Sequence, residues 1–328
     1  MAQQPHEIVW TLTNAFIASR SLQAVAELGV ADHIGEETLS ITELAARCGA
    51  DPDALDRVLR LLVTHGIFEV RDEGFGHTES SRLLQSDHPM SMRAFPRMMG
   101  LPSFVAMFDR LEHSVRTGDP AATLVDPDGM WAYMQRHPGE AEVFDQAMTA
   151  KAAADTAAVL AAYDFSDTAT IADIGGGRGH LLRAILNAVP AAEGILFDLP
   201  GVIQTLDVDR DRLTTRAGDF FVDPLPTADA YILMEVIHDW ADAEAVAILS
   251  AIRRAASPGA RVLIIENVLG DPRSDQRGHT LDIIMLVVTG GRERTPNQLG
   301  ELLKQGGFVN TTVIDTAGAL QIVEAVAT

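Results

Sequence analysis

Apolar residues recur at helical spacing through the first part of the chain. The segment 8–28 carries them three and four positions apart, and Gly29 follows it as a helix stop. Ser40 or Thr42 can cap one following helix and Asp51 another, and Pro52 suits a first helical position. Short β-like runs containing glycines follow over 66–78. This order predicts helix, turn, helix and hairpin, the arrangement of a winged helix.

The region after the predicted hairpin changes character. Residues 89–102 are rich in Met and Pro and are predicted to be a connector. Helical spacing returns over 103–116 and 138–163. We therefore predict a mostly helical, winged-helix-like domain of residues 1–102 and a second domain of residues 103–328.

Strand-like and helical stretches alternate in the second domain. The predicted strands are 170–174, 194–197, 230–234 and 261–266, and the predicted helices between them include 181–188 and 244–254. Such alternation predicts an α/β fold with a parallel, doubly wound sheet. A last helix over 296–305 is followed by two further strand-like runs.

The charge balance limits the possible partners. The 328 residues include 25 Lys and Arg against 46 Asp and Glu, a formal charge of −21. Nucleic acids and anionic membranes need clustered cations, which this chain lacks. The third predicted helix offers only Arg57 and Arg60, and Asp53 and Asp56 accompany them. We expect the N-terminal domain to be a dimerisation module, with a ligand-responsive DNA-binding regulator as the alternative.

Cysteine usage and hydrophobicity exclude several further classes. Cys48 is the single cysteine, so an intrachain disulfide and a thiolate zinc site are excluded. No signal-peptide pattern is found at the N-terminus, and the apolar run 283–288 is too short to span a bilayer. We expect a cytoplasmic protein. No residue cluster has metal-ligand spacing, so no metal is expected.

A glycine-rich loop follows the first predicted strand of the second domain. Gly175, Gly177 and Gly179 stand at alternate positions, where a backbone without side chains can turn sharply and approach a ligand. A dinucleotide loop would need glycine where His180 stands, and Asp173 would repel a phosphate. An ammonium-bearing ligand without phosphate, such as S-adenosylmethionine, suits the loop better.

Two later segments extend the predicted cofactor site. Asp198, followed by Leu199, ends the next strand, where a carboxylate can accept both hydroxyls of a ribose. The alternative role for Asp198 is a helix cap. Gly218, Asp219 and Phe220 come next, and Asp219 could accept from an adenine amino group while Phe220 packs on the ring.

A histidine at the end of a central strand is the candidate general base. His238 follows the apolar run 230–234, and an imidazole with a pKa of about 6.5 suits proton transfer near neutral pH. A capping or core histidine is the alternative. Two acids favour the functional role: Glu266 ends a buried strand, and Glu293 lies in a glycine-containing loop. If both reach His238, they orient the imidazole and raise its pKa.

The motifs together resemble the small-molecule O-methyltransferases of plant caffeate and flavonoid metabolism and of bacterial polyketide tailoring. They are DIGGGRGH (173–180), FDLP (197–200), GDFF (218–221), VIHDW (236–240), ENVL (266–269) and GGRERT (290–295). The resemblance implies a class I methyltransferase domain with a Rossmann-like sheet, an N-terminal dimerisation domain, a homodimer and S-adenosylmethionine as cofactor. It implies that His238 deprotonates a small-molecule hydroxyl between Glu266 and Glu293, with Asp239 close by. Met234 stands where plant members carry a lysine.

The resemblance also indicates where the substrate would lie. It implies walls from the helices between the domains and from the segment after Glu266, which are represented by Trp131, Phe144, Met148 and Met285. Plain core positions are the alternative for each of the four. The sequence thus predicts an O-methyltransferase for a phenolic natural product. Drifted chemistry on the same fold is the alternative: N-methylation, hydroxylation, decarboxylation or rearrangement.

Overall fold

The computed structural model describes residues 4–36, 38–72, 74–206, 211–271, 273 and 275–328, without the side chains of 153 and 154. The chain forms two compact units. The first comprises Met1–Val105 with Pro138–Lys151, and the second comprises Ala106–His137 with Ala152–Thr328. The boundary between residues 102 and 103 stays a prediction.

The first unit is mostly helical and carries a small sheet. Its helices are α1 (Pro5–Glu27), α2 (Val30–His33), α3 (Ile41–Cys48), α4 (Pro52–Thr64), α5 (Glu79–Arg82) and α6 (Ala94–Met99), and its strands are β1 (Leu39–Ser40), β2 (Phe68–Arg71) and β3 (Gly74–His77). Residues of both units belong to α7 (Pro102–Phe108) and α10 (Pro138–Ala162). The strands pair antiparallel in the order β1-β3-β2.

Local signals set the helices of this unit. Ser40 and Asp51 cap α3 and α4 by accepting from main-chain N–H groups three residues on. The apolar faces of both helices close on the hairpin through buried Leu44, Leu59 and Phe75. The winged-helix prediction is therefore confirmed.

The polar face of α4 carries little free positive charge. Arg57 pairs with Asp53 at 3.9 Å, and Arg60 pairs with Asp56 at 2.6 Å. Each arginine thus has an acid one helical turn away.

Two predictions in the linking region are wrong. Residues 89–102 are not a plain connector, because α6 lies within them. Pro96 falls in the first turn of α6, where its missing N–H costs no hydrogen bond, and it is buried with Met98. The predicted helix 103–116 is interrupted, since α7 ends at Phe108 and α8 begins at Leu111. No glycine or proline marks that break in the sequence.

The second unit contains a seven-stranded sheet. Its strands are β4 (Thr170–Ile174), β5 (Glu193–Asp198), β6 (Leu213–Ala217), β7 (Ala230–Met234), β8 (Arg261–Glu266), β9 (Phe308–Asp315) and β10 (Gln321–Ala327). Its helices are α8 (Leu111–Thr117), α9 (Gly129–Arg136), α11 (His180–Ala188), α12 (Pro200–Ile203), α13 (Asp242–Ala255), α14 (Gln276–Val288) and α15 (Pro296–Gln305), with 3₁₀ turns η1 (Ala121–Leu124) and η2 (Ile237–Asp239).

The sheet is mixed rather than wholly parallel. Its order is β6-β5-β4-β7-β8-β10-β9, and the pairs from β6 to β8 are parallel. The last two strands are antiparallel to their neighbours, because the short link 316–320 forms a hairpin rather than a crossover. Strand β6 is absent from the predicted strands, because only Leu213 of its five residues is buried and its apolar pattern is weak.

Helices cover both faces of this sheet. Ile248 and Ile252 of α13 and Leu299 of α15 belong to the core on one face, and Leu182 and Ile185 of α11 belong to the other. The strand order reverses between β4 and β7. In open α/β sheets, ligands bind outside the carboxyl ends of the strands at such a point. Within the described residues, no helix combines the length and apolarity needed to cross a membrane.

Candidate active site

The structure brings the glycine loop and the histidine segment together at this switch point. The loop leaves β4, and the segment containing η2 leaves β7, the strand paired with β4. A β-carbon built on Gly175 would lie 3.1 Å from Cγ2 of Val236, two residues before His238. The two predicted halves of the site are therefore adjacent.

The glycine loop adopts a conformation that requires glycine. Gly175, Gly177 and Gly179 have φ angles of +70°, +57° and +71°, which strain any residue with a side chain. The Gly177 N–H donates to Oδ2 of Asp198 at 2.7 Å, and the Gly175 N–H donates to the main chain at the end of β5 at 2.8 Å. These bonds fix the loop against β5.

Asp173 lies beneath this loop and is 2% exposed. Its Oδ1 atom is buried and has no hydrogen-bond partner in the described part of the protein. Burial, together with the negative charge of Asp198, raises the pKa of Asp173 to about 7. An incoming cation or hydrogen-bond donor would satisfy this carboxylate, whereas a phosphate would be repelled.

Asp198 is not a helix cap. Leu199 is the N-cap residue of α12, and the Asp198 carboxylate accepts instead from the Leu199 N–H at 2.7 Å and from Gly177. These two contacts orient the carboxylate at the end of β5. This geometry is compatible with the predicted contact to two ribose hydroxyls.

Aromatic side chains flank the next segment. The Gly218 N–H donates to the carbonyl of Asp198 at 3.0 Å, and Asp219 follows in a short turn. The ring of Phe220 meets Trp240 edge to face at 5.7 Å. Sequence reasoning did not single out Trp240, although it lies in the VIHDW motif. Phe220 also lies within 3.8 Å of the Gly175 β-carbon position, so an apolar wall borders the loop.

His238 is held by a carboxylate on one side of its ring. It lies in η2, is 5% exposed, and its Nδ1 is 2.8 Å from Oε1 of Glu293. A carboxylate accepts hydrogen bonds, so Nδ1 carries the proton and Nε2 has the lone pair in the neutral ring. The nearest Asp239 oxygen is 3.8 Å from Nε2, beyond hydrogen-bond distance.

Glu266 acts on the main chain rather than on the imidazole. Its Oε1 accepts from the main-chain N–H of His238 at 3.0 Å. The expectation that both acids orient the ring is therefore correct only for Glu293. Burial raises the pKa of Glu266 to about 7.

The charge state of His238 is set by opposing effects. Burial alone would lower its pKa, but the hydrogen bond that its Nδ1–H donates to Glu293 and the negative charges of Asp239 and Glu266 outweigh burial. The pKa of His238 is raised to about 10 as a result.

The four predicted substrate-wall residues divide between the two units. Phe144 and Met148 lie on α10 in the first unit, and Phe144 stacks on Phe104 at 6.5 Å. Trp131 on α9 and Met285 on α14 lie in the second unit, and Met285 is 8% exposed. Their roles as substrate contacts remain predictions.

Sequence reasoning missed two residues that support Glu293. Asp282 on α14 accepts from the Glu293 N–H at 2.9 Å, and Arg294 is 1% exposed with its guanidinium on main-chain carbonyls. The position of Arg294 next to Glu293 in the GGRERT motif is the one signal that the sequence offered for it. No such signal marked Asp282, which precedes an apolar run. Among the described residues, no cluster of acids, histidines and cysteine could hold a metal ion.

Comparisons with known proteins agree with this geometry. Residues 108–309 match the family model of the O-methyltransferase domain, and residues 10–87 match that of the O-methyltransferase dimerisation domain. A phenazine O-methyltransferase of Lysobacter antibioticus is 38% identical over 97% of this chain and 95% of its own length. An 8-amino-8-demethylriboflavin N,N-dimethyltransferase of Streptomyces davaonensis is 37% identical over 94% and 90%.

Similarity extends to solved structures. An O-methyltransferase from neocarzinostatin biosynthesis, crystallised with S-adenosylmethionine and 2-hydroxy-5-methyl naphthoic acid, has a TM-score of 0.78 at 34% identity. The likeness covers 94% of this chain and 96% of that one. On sequence, fold and motif geometry, this chain belongs to the S-adenosylmethionine-dependent O-methyltransferases of natural-product biosynthesis and is an enzyme of that family.

Proposed function

We propose that this enzyme methylates a phenolic hydroxyl of an aromatic small molecule, with His238 as general base. The observation that carries the proposal is the 2.8 Å contact between Nδ1 of His238 and Glu293. This contact leaves Nε2 as the nitrogen that can take a proton from a hydroxyl. Glu266 holds the same residue in place, because its carboxylate accepts from the main-chain N–H of His238.

The residues around the glycine loop fit S-adenosylmethionine. The unpartnered oxygen of Asp173 suits the ammonium group, and Asp198 with Leu199 suits the ribose edge. Asp219 and Phe220 suit the adenine. When bound, the cofactor supplies an electrophilic methyl group on a sulfonium. Met234 ends β7 where plant members carry a lysine, so no polar contact to the cofactor is proposed from this position.

The raised pKa of His238 favours a phenol as acceptor. Its value of about 10 matches that of a phenol, about 10 as in tyrosine. A base whose pKa is raised toward that of a phenol can take the phenol's proton at a smaller energetic cost. The neutral fraction of His238 grows as the pH approaches its pKa. We therefore expect turnover to rise from pH 7 toward pH 10.

Trp131 and Met285, which lie in the second unit with His238, are proposed as substrate contacts. Aromatic and thioether side chains of this kind pack against flat aromatic ligands. The phenazine enzyme and the naphthoic acid complex among the relatives support an aromatic acceptor.

N-methylation is the second candidate, because one relative is named as an N,N-dimethyltransferase. A hydroxynaphthoic acid and the matching aminonaphthoic acid offer both acceptors on one skeleton. O-methylation of the first without methylation of the second supports the proposal. Methylation of the amine alone favours the second candidate, and consumption of the cofactor without methylated product favours drifted chemistry.

Replacement of His238 is the direct test of the base. His238→Ala should lower turnover on a phenol about a hundredfold or more, as loss of a general base implies. The dissociation constant for S-adenosylmethionine, measured by calorimetry, should stay close to that of the wild type. Unchanged turnover would remove His238 from its proposed role.

We also propose that the enzyme is a homodimer formed through the N-terminal unit. Val9, Trp10, Leu12 and Phe16 of α1 are 65% to 72% exposed, which is unusual for large apolar side chains on one helix. The match of residues 10–87 to a dimerisation domain indicates a second copy of this chain as the occupant.

A further inference from the structure

We infer that Arg294 is a positioning residue for the proposed base, since its guanidinium fixes the main chain that carries His238. The inference rests on the proposed role of His238. Arg294 is among the largest fully buried side chains of the protein, at 1% exposure. A buried guanidinium is unfavourable unless every donor direction is satisfied, so its partners identify what it does.

The partners of Arg294 surround the histidine in sequence. Nη1 donates to the carbonyl of Ile237 at 3.0 Å, and Nη2 donates to the carbonyl of Trp240 at 2.7 Å. Nε and Nη2 both donate to Oδ1 of Asp242, at 3.0 and 2.8 Å. One planar group thus holds the short turn η2 from both ends and ties it to the start of α13.

The loop that carries Arg294 contacts the same turn at a further point. The Arg292 N–H donates to the carbonyl of His238 at 2.8 Å. The carbonyls of residues 237, 238 and 240 are therefore all bound by the loop 290–295. The main chain of Arg294 is itself fixed, because its carbonyl accepts from the Leu269 N–H at 2.9 Å beyond β8.

This arrangement couples the main chain of the base to its ring. Glu293 binds Nδ1 of His238, and its neighbour Arg294 binds the carbonyls on either side of His238. Movement of the turn relative to the loop would break the Glu293 contact and displace Nε2. A displacement of about 1 Å at a reacting group can cost about a hundredfold in rate.

Lysine at position 294 tests this role, because it keeps the charge but cannot span the carbonyls and Asp242 together. Arg294→Lys should lower kcat about tenfold or more, while cofactor affinity by calorimetry changes by less than about twofold. Arg254→Lys, on an exposed position of α13, is the matched control and should leave kcat unchanged. Wild-type kcat in Arg294→Lys would overturn the inference.

A double variant separates positioning from general destabilisation. If Arg294 acts through the imidazole, adding Arg294→Lys to His238→Ala should lower turnover by no more than about twofold further. Multiplicative losses would assign Arg294 a merely structural role. If His238→Ala alone keeps wild-type turnover, the proposed base itself fails, and Arg294 has no base to position.

A second variant changes an exposed partner of Arg294 rather than Arg294 itself. Asp242 is 61% exposed, so Asp242→Ala removes one partner of the guanidinium and leaves its bonds to the buried carbonyls in place. We expect kcat to fall in the same direction as for Arg294→Lys, by a smaller factor. Glu244→Ala, an exposed acid in the same first turn of α13, is its control. Equal activity of the two alanine variants would contradict the inference.

Discussion

At the scale of single residues, four acids are placed at the site for different tasks. Asp173 is buried with an unpartnered oxygen, whereas Asp198 is oriented by two main-chain N–H groups. Glu266 supports the main chain of His238, and Glu293 its ring. Burial and partners, rather than residue type, thus decide what each carboxylate can do.

Asp173→Asn should trade cofactor affinity for stability. The pKa of Asp173 is raised above its usual value, so its contribution to folding is full below about pH 4 and is lost as the pH rises through about 7. The ligand-free variant should melt about 3 °C or more above the wild type at pH 8, and this gap should shrink at pH 5. Affinity for S-adenosylmethionine should fall about tenfold or more. If the variant melts below the wild type at pH 8, the buried charge of Asp173 does not destabilise the folded protein.

Glu293→Gln should shift the pH dependence of catalysis. The carboxylate helps to raise the pKa of His238, so its removal should lower that pKa by about one unit or more. The rising limb of kcat/KM against pH should then move to lower pH, with a lower plateau because the base is weaker. Glu301→Gln, an exposed acid on α15, is the control. If the rising limb of kcat/KM stays at the same pH, Glu293 does not set the pKa of His238.

At the scale of elements, the loop 290–295 has two roles. It carries Glu293, and it packs against the turn η2 that contains His238. A β-carbon on Gly291 would lie 1.9 Å from the His238 carbonyl oxygen and 2.6 Å from the Trp240 nitrogen. Only glycine therefore lets this loop lie against η2.

Gly291→Ala should abolish most activity while Gly300→Ala does not. The added methyl group at 291 must push the loop from the histidine turn, so kcat should fall about a hundredfold, as misplacement of the base implies. Gly300 lies in α15 with nothing within 4 Å of its β-carbon position, and alanine there should stabilise the helix by about 0.5–1 kcal/mol. Kinetics and thermal melting of both variants measure the contrast, and equal activity would show that the loop yields easily.

At the scale of the whole molecule, the site residues and the exposed apolar helix lie in different units. The second unit holds the glycine loop, the base and its acids, and the first unit carries the exposed apolar face of α1. A formal charge of −21 opposes non-specific association, although large apolar side chains remain on the surface.

Charges on the exposed face of α1 should produce monomers. Trp10→Glu combined with Phe16→Glu would bury two carboxylates in the proposed interface, at a cost that an apolar contact cannot offset. Light scattering after gel filtration should give a mass near 35.3 kDa for the variant and twice that for the wild type. Val115→Glu, at a 70% exposed position of α8, should leave the mass unchanged. A monomeric wild type would contradict the proposed homodimer.

The sequence by itself determined the layout of the chain. Apolar spacing, caps and glycines predicted the winged helix, the first strands of the sheet and the glycine loop, because these signals act over a few residues. Strand ends also placed His238 and Glu266 at the carboxyl edge of the sheet, and they left Glu293 in a glycine-containing loop. Local signals failed at β6, whose side chains are mostly exposed, and at α6, whose Met- and Pro-rich sequence resembles a loop.

Only the tertiary structure decided how the site is held together. Asp282 and Arg294 act across 11 and 57 residues of sequence, on the Glu293 N–H and the Ile237 carbonyl. Whether Glu266 meets the ring or the main chain of His238 also depends on how β8 lies beside β7. Such contacts join distant segments through packing, and no pattern along the chain records their distance or direction.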